Sequence, residues 1–412
     1  TTGKYNPEID AFQRVVPDAF AADIHYLINS AILQKEEIKS EDVAAFNAYA
    51  KDAASNDRKE LKNLEISAFA SPDGGLDLNT KLAQEREAAT KKFVTDSAQL
   101  AQVSDRLRTR YTAEDWDGFK DALSKSNVQD KELILRVLSM YNDPEVREKE
   151  IRNLSEAFTA VANEILPQLR RAKLSAEINL IGKTDEELLA AAENDPKSLN
   201  QAELLHAATL TNDLAKKLQF YNSFIKQFEN DWRGYNNLGM TYVMMYDYEK
   251  AAPNFEKADK LSPSNPIIQN NLGTIALKNG ETEKARQLFT AAAATGDKAV
   301  DYNMGIVSIL RAEYDKAVKY FGETPGPNSG LARILNGDNN GAVKVLEACT
   351  NEECSMVDYL MAVVGARTAK ENMVVENLNS AIKKDPKLKA AAKTDMEFAK
   401  YFESAAFKAV VQ

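Results

Sequence analysis

An internal repeat of 34 residues sets the strongest limit on the fold of this 412-residue chain. One copy reads WRGYNNLGMTYVMMYDYEKAAPNFEKADKLSPSN from Trp232, and the next reads PIIQNNLGTIALKNGETEKARQLFTAAAATGD from Pro266. The pairs that share this offset are Gly239 and Gly273, Ala251 and Ala285, Phe255 and Phe289, and Ala258 and Ala292. Such a period indicates stacked units, because one unit alone leaves its apolar face uncovered.

These residues resemble the tetratricopeptide repeat, a pair of antiparallel helices in about 34 residues. Small residues let the two helices approach closely, Tyr242 and Phe255 fill the space between them, and Pro263 ends the second helix. The resemblance implies an all-α superhelix that binds a protein or peptide ligand and catalyses no reaction.

The repeat pattern extends over residues 199–412 with decreasing fidelity. It continues at Gly305 after a step of 32 residues and again at Gly330, after a shortened segment that contains Pro325. We count five to six repeats, and we expect the stretch after Lys387 to be a C-terminal capping helix, because a solenoid needs a polar end.

The first helix of each repeat is expected to line a ligand groove. The predicted groove residues are Asn236, Met240, Val243, Asn270, Thr274, Leu277, Tyr302, Ile306 and Ile309. Apolar groups outnumber charged ones and no pair of lysines recurs, which disfavours a clamp for a free C-terminal carboxylate and favours an apolar helix or an extended peptide. The alternative for each residue is packing against a neighbouring repeat.

Residues 1–184 have a different character, since apolar and polar residues alternate between amphipathic helices. The predicted elements are strands over residues 23–29, 64–70 and 174–181, a helix over residues 41–54, and an almost wholly helical insertion over about residues 100–165. We therefore expect an α+β domain that ends at residue 184, followed by a linker over residues 185–198.

Residues 64–94 resemble the OmpA-like peptidoglycan-binding domain through a strand, an S-P-D-G-G turn and an N-x-x-L-A-x-x-R helix. The resemblance implies a βαβαββ core over about residues 15–184. In that family an Asp after the second strand and an Arg fifteen residues later hold the diaminopimelate of the peptidoglycan stem.

The residues that the resemblance assigns to peptidoglycan are Arg86, Asp73, Ser71 and Asn79. Arg86 matches the family's arginine, but Ser71 stands at the aspartate position, and Asp73 is the nearest carboxylate. The alternative is that Arg86 caps a surface helix or forms a salt bridge there, and that the domain serves protein contacts.

The combination of these two families is similar to envelope lipoproteins and assembly factors of Gram-negative bacteria. The resemblance implies a periplasmic or outer-membrane-associated protein. The chain begins Thr1-Thr2-Gly3 without a methionine, so we expect any signal peptide or lipid anchor to lie upstream of it.

Cys349 and Cys354 flank a turn between two predicted helices of the repeat array. Such a turn brings two α-carbons within the roughly 4.4–6.8 Å that a disulfide needs. We predict a bond that contributes about 2 kcal/mol by restricting the unfolded chain. The alternative is that they are two independent small apolar residues.

Composition excludes several functions. A net charge of −10 and a pI of about 5.1 give no electrostatic footprint for nucleic acid. The two histidines, His25 and His206, are far apart, and no motif for a phosphate, a dinucleotide or a metal is present. We therefore predict a scaffold without cofactor, metal or transmembrane segment, with a cell-wall-binding protein as the alternative.

Overall fold

The computed structural model describes residues 3–5, 11–97 and 105–412, which form two units. The first, residues 13–184, is called the sheet unit below. The second, the repeat unit, comprises residues 185–412 together with the described part of residues 1–12. None of the helices formed by the described residues is long and apolar enough to cross a membrane.

The sheet unit is built on four strands in the spatial order β1-β4-β2-β3. The strands are β1 (Val15–His25), β2 (Lys59–Phe69), β3 (Leu107–Thr112) and β4 (Arg171–Ile181). Strand β4 pairs antiparallel with both β1 and β2, and β3 pairs parallel with β2. Alternate residues of β4 are buried, so one face of the sheet packs on the core.

Helices of the sheet unit cover that face and fill the long connection before β4. They are α1 (Lys35–Ile38), α2 (Glu41–Ser55), α3 (Leu76–Asp96), α4 (Trp116–Lys125), α5 (Lys131–Met140), α6 (Pro144–Arg152), α7 (Ser155–Glu164) and α8 (Leu166–Leu169). Phe46 of α2 and Val94 of α3 lie in one buried cluster with Ile66 and Leu174 of the sheet.

Two predictions for this unit are wrong in detail. Strand β3 falls inside the segment predicted to be helical, because its pairing with β2 overrides a short sequence that shows little periodicity of its own. The first strand begins at Val15 and ends at His25 rather than running through Asn29, whose φ of 53° interrupts an extended chain. Residues 98–104 of the predicted insertion lie outside the described residues.

The repeat unit contains six antiparallel helix pairs among its described residues. The pairs are α10 (Gln201–Thr209) with α11 (Leu214–Gln227), α12 (Trp232–Met244) with α13 (Tyr248–Leu261), α14 (Pro266–Lys278) with α15 (Thr282–Ala292), α16 (Lys298–Leu310) with α17 (Tyr314–Phe321), α18 (Pro327–Leu335) with α19 (Asn339–Glu347), and α20 (Ser355–Arg367) with α21 (Glu371–Lys384). Helix α9 (Asp185–Asn194) precedes them, and α22 (Leu388–Thr394) and α23 (Ala405–Val411) follow.

The four pairs from α12 to α19 each close where a glycine of the first helix meets a large side chain of the second. A Cβ atom built on Gly273 would lie 2.6 Å from Cε1 of Phe289, and one on Gly305 would lie 2.7 Å from Cζ of Phe321. The shortened repeat has Leu346 opposite its glycine instead. Glycine at this position is therefore required for the close approach of the two helices.

Two further predictions are corrected in this unit. The expected linker is helix α9, because Leu188 and Ala192 are fully buried against the first helix pair. Cys349 and Cys354 are free thiols rather than a disulfide. The turn between them is closed instead by main-chain hydrogen bonds, one of which runs from the N–H of Cys354 to the carbonyl of Asn351 over 3.1 Å.

Candidate peptide-binding groove

A row of polar side chains, most of them buried asparagines, joins successive first helices of the repeat unit. Each donor of the row stands two residues before the glycine of its repeat, and each acceptor stands three residues before the glycine of the preceding repeat. The hydrogen bonds run from Asn271 Nδ2 to Asn236 Oδ1, from Asn303 Nδ2 to Asn270 Oδ1 and from Asn328 Nδ2 to the Tyr302 hydroxyl, each over 2.8 Å. We call this row the asparagine ladder.

The ladder holds the main chain of Lys4, from the chain's own beginning. The N–H of Lys4 donates to Asn303 Oδ1 over 2.6 Å. The carbonyl of Lys4 accepts from Asn303 Nδ2 over 2.7 Å and from Asn270 Nδ2 over 2.9 Å. The carboxamide of Asn303 thus pairs with both the N–H and the carbonyl of Lys4. A residue of a neighbouring β-strand would pair with Lys4 in the same way.

The hydroxyl of Thr274 lies 3.4 Å from the Lys4 carbonyl, but it donates to the carbonyl of Asn270 over 2.9 Å. A hydroxyl has one hydrogen to donate, so the shorter bond takes it. The Lys4 carbonyl therefore relies on Asn270 and Asn303, which fill its two lone pairs.

The side chain of Lys4 meets an aromatic ring that other residues fix in place. Lys4 Nζ lies 4.3 Å from the centroid of the Tyr302 ring, within reach of a cation–π interaction. That ring packs edge-on against Phe321, with centroids 5.2 Å apart, while its hydroxyl accepts from Asn328. The ring is thus oriented before any cation reaches it.

Tyr5 and Gly3 complete the contacts of this segment. The ring of Tyr5 stacks on that of Phe255 with centroids 6.1 Å apart, and it packs on an apolar cluster that includes Met240 and Ile275. Burial, and to a lesser degree the nearby Tyr248, raises the pKa of the Tyr5 phenol above its usual value of 10.0. A Cβ atom on Gly3 would lie 2.6 Å from Cγ2 of Thr274, so that position admits only a glycine without adjustment.

The predicted groove residues divide into four groups. Asn270, Thr274 and Tyr302 lie against residues 3–5, Met240 and Val243 belong to the apolar cluster on which Tyr5 packs, and Asn236 is part of the ladder. Leu277, Ile306 and Ile309 instead pack in the core between repeats, as the alternative for each residue held.

Sequence reasoning missed Asn303, which makes the largest number of polar contacts with the segment. A signal for it exists, since asparagine stands two residues before the glycine in four successive repeats, in NNLG, NNLG, NMG and NSG. The prediction named the first asparagine of each NN pair, Asn236 and Asn270, although the second asparagine is the one that recurs.

Part of the repeat unit matches a known family of repeats. Residues 242–304 match the family model of the tetratricopeptide repeat. Residues 242–304 therefore carry tetratricopeptide repeats. No curated protein sequence matches the chain.

Several solved structures are similar to the chain at low identity. The Cut9–Hcn1 hetero-tetramer of the APC/C is 13% identical and has a TM-score of 0.43, covering 83% of this chain and 67% of that chain. A tetratricopeptide repeat protein from Parabacteroides merdae is 15% identical with a TM-score of 0.38, covering 55% of this chain and 89% of that one. PilF of Pseudomonas aeruginosa is 14% identical with a TM-score of 0.37, covering 53% and 98% respectively.

Tetratricopeptide repeats point to a scaffold for protein–protein interaction, and proteins built on them are generally non-catalytic. Within the described part of the chain, His, Cys, Asp and Glu side chains form no group of three or more that is placed to hold a metal ion.

Each of the four residues assigned to peptidoglycan makes structural contacts within the sheet unit. Arg86 is only 1% exposed, and its guanidinium donates to the carbonyls of Phe69, Ser30 and Leu27 over 2.8, 3.0 and 3.3 Å. Burial lowers the pKa of Arg86 to about 10. Arg86 therefore acts as a buried tie between α3 and the ends of β1 and β2, not as the cap or salt bridge of a surface helix.

Ser71 and Asp73 contact another arginine, Arg170, which the sequence did not single out. Arg170 Nη2 lies 3.3 Å from Asp73 Oδ2, and Arg170 Nε donates to the Ser71 hydroxyl over 3.3 Å. Asn79 donates to the carbonyl of Gly74 over 3.3 Å and so closes the turn before α3. Each of the four has a structural partner.

Proposed function

We propose that this chain is a non-enzymatic scaffold whose repeat groove binds the main chain of an extended protein segment. The observation that carries the proposal is the pairing of one carboxamide, that of Asn303, with both the N–H and the carbonyl of Lys4. Main-chain hydrogen bonds of this kind give affinity without regard to sequence, and neighbouring side-chain contacts then add selectivity.

We also propose that the scaffold works in the envelope of a Gram-negative bacterium, in the periplasm or at the outer membrane. The support for this setting is the resemblance of residues 64–94 to the OmpA-like domain. Peptidoglycan binding by that domain has weaker support, because Arg86 already donates to three carbonyls and Asp73 is paired with Arg170. Sedimentation of the full chain with purified sacculi tests this alternative, and we expect the chain to stay in the supernatant.

The groove is tested with the full chain immobilised and exposed to envelope extract. The wild type is compared with Asn303→Asp, which keeps the acceptor for an N–H but removes the donor to a carbonyl. Asn222→Ala is the matched control, since Asn222 is an exposed asparagine of α11 whose side chain donates to its own helix.

Captured proteins are identified by mass spectrometry, and the captured segment is mapped by cross-linking. A partner bound through its main chain is retained by the wild type and by Asn222→Ala. Its capture is reduced at least tenfold by Asn303→Asp, because one buried hydrogen bond is lost and a carboxylate oxygen then faces the partner's carbonyl oxygen. Equal capture by all three chains would show that the asparagine ladder is not the binding surface.

A further inference from the structure

Residues 3–5 of the chain itself occupy the groove. They use its main-chain hydrogen bonds, its cation–π contact and its aromatic contact. The main chain of Lys4 takes the carboxamides of Asn303 and Asn270. Its ammonium lies over Tyr302, and the next residue, Tyr5, stacks on Phe255. A partner segment bound to the ladder would have to occupy the same atoms, so the two ligands exclude each other.

We infer that residues 3–5 are an intramolecular ligand of the groove, and that the partner that displaces them carries the same order of a small, a basic and an aromatic residue. This inference rests on the proposed function, because it takes the groove to be the partner site.

The order of side chains follows from what each position meets. The first position faces the methyl group of Thr274, where a Cβ atom would come within 2.6 Å, so a small residue is required. The second faces the ring of Tyr302, whose negative π-face attracts a cation and repels a carboxylate. The third packs on the apolar cluster around Phe255, where an aromatic ring buries more surface than a smaller side chain does.

A second contact of the same part of the chain keeps the segment close to the groove. Phe12, seven residues after Tyr5, stacks on His206 with ring centroids 4.4 Å apart and packs on the core of the first helix pair. A ligand tethered over so few residues acts at an effective concentration on the order of millimolar. The groove is therefore open in only a fraction of the chains at any time. The apparent affinity of the groove for a free partner is reduced in proportion to that open fraction.

The experiment measures binding of a fluorescein-labelled synthetic peptide with the sequence of residues 1–8 to the full chain by fluorescence anisotropy. The test chain carries Lys4→Glu with Tyr5→Ser, which removes the cation and the aromatic ring but leaves Phe12 as its anchor. The control chain carries Lys91→Glu with Tyr111→Ser, the same change in charge and composition at exposed positions of the sheet unit.

We expect the peptide to bind the test chain at least tenfold more tightly than it binds the wild type or the control chain. A peptide with Glu in place of Lys4 is expected to bind the test chain at least tenfold more weakly. Adding Asn303→Asp to the test chain is expected to abolish binding. Circular dichroism melting of every chain shows that the variants are folded.

Two results would overturn the inference. Equal binding to the wild type and the test chain would mean that residues 3–5 do not compete for the groove, and failure to bind the test chain would mean that they are not its ligand. Either result leaves the proposed function standing if capture of the envelope partner still depends on Asn303. Loss of that dependence is instead a failure of the proposed function.

Discussion

Arg86 shows how far a single buried residue determines the sheet unit. Its guanidinium joins three carbonyls from two separate strand ends, and its ring neighbour Tyr26 in turn bonds to Thr90 of α3 over 2.6 Å. A buried cation is expensive to desolvate, and here main-chain carbonyl dipoles offset that cost. The sequence singled out this arginine through a resemblance, but its burial was not predictable, because burial depends on where three distant carbonyls converge.

Arg86→Met is predicted to destabilise the sheet unit by about 3 kcal/mol, because methionine fills similar space but removes three hydrogen bonds from a charged donor. Arg108→Met, at an exposed position of β3, is the control and is expected to change stability by less than about 0.5 kcal/mol. Urea unfolding followed by Trp116 fluorescence in a Trp232→Phe background reports on this unit alone, since the chain has 2 tryptophans. A loss below 1 kcal/mol for Arg86→Met would mean that the carbonyls find other partners.

Docking of residues 3–5 in the groove is expected to depend on pH through the phenol of Tyr5. The pKa of the docked phenol is raised by burial, so docking favours the neutral form and is at full strength below the free value of 10.0. Above pH 10 the undocked phenol ionises, and each further pH unit is expected to weaken docking by up to about tenfold. The measurement is binding of the residues 1–8 peptide to the Lys4→Glu, Tyr5→Ser chain between pH 8 and 11.

The matched probe for this effect is the same peptide with Phe at the Tyr5 position. Both peptides carry Lys4, so the difference between them isolates the phenol. Identical pH profiles for the two peptides would mean that Tyr5 stays exposed to solvent in the bound state.

The helix pairs share a turn geometry, in which a main-chain hydrogen bond closes the turn between the two helices. A main-chain bond from residue i to i−5 closes five of these turns, with donors Asp247, Glu281, Glu313, Asp338 and Lys370. The residue before each donor has a positive φ, and it is glycine in two turns and Ala312 in another. This bond is the Schellman pattern that ends a helix with a left-handed residue.

Ala312→Gly is predicted to stabilise the repeat unit by about 0.5–1 kcal/mol. Alanine at a φ of 58° costs the folded state about 1–2 kcal/mol of left-handed strain, which glycine relieves. Part of this gain is lost, because glycine also gives the unfolded chain more conformational entropy. Ala252→Gly, inside α13 where φ is right-handed, is the matched control and is expected to destabilise by about 0.5–1 kcal/mol. Thermal melts of the two variants should therefore shift in opposite directions, and shifts in the same direction would contradict the strain.

Repetition explains which elements the sequence predicts and which it does not. The three pairs from α12 to α17 were the most predictable, because they share a glycine, an alanine and a phenylalanine at fixed spacing. The groove was only partly predictable. Its donors belong to helices, but the residues that they hold, Lys4 and Tyr5, are more than 200 positions away, and no local pattern marks them. Strand β3 was missed for the same reason, since its partner strand lies across a helix.

The division of the whole chain is also clearer in the structure than in the sequence. The boundary between the units falls between Thr184 and Asp185, whereas the sequence analysis predicted a linker over residues 185–198. Helix α9 instead caps the repeat unit at one end, with Leu188 and Ala192 buried against Phe220 and Leu204. A terminal helix of this kind protects the first repeat from solvent, as solenoids require.

A fragment of residues 185–412 is therefore predicted to melt at a higher temperature than a fragment of residues 199–412. Removing α9 uncovers Leu188 and its apolar surroundings, and one buried leucine side chain contributes about 1.5–3 kcal/mol. For about 200 residues this corresponds to a melting temperature lower by roughly 3–12 °C. Both fragments lack residues 3–5, so both are expected to bind the residues 1–8 peptide more tightly than the wild-type full chain does. Circular dichroism gives the melting temperatures and anisotropy gives the affinities; equal melting temperatures would mean that α9 is not part of the cap.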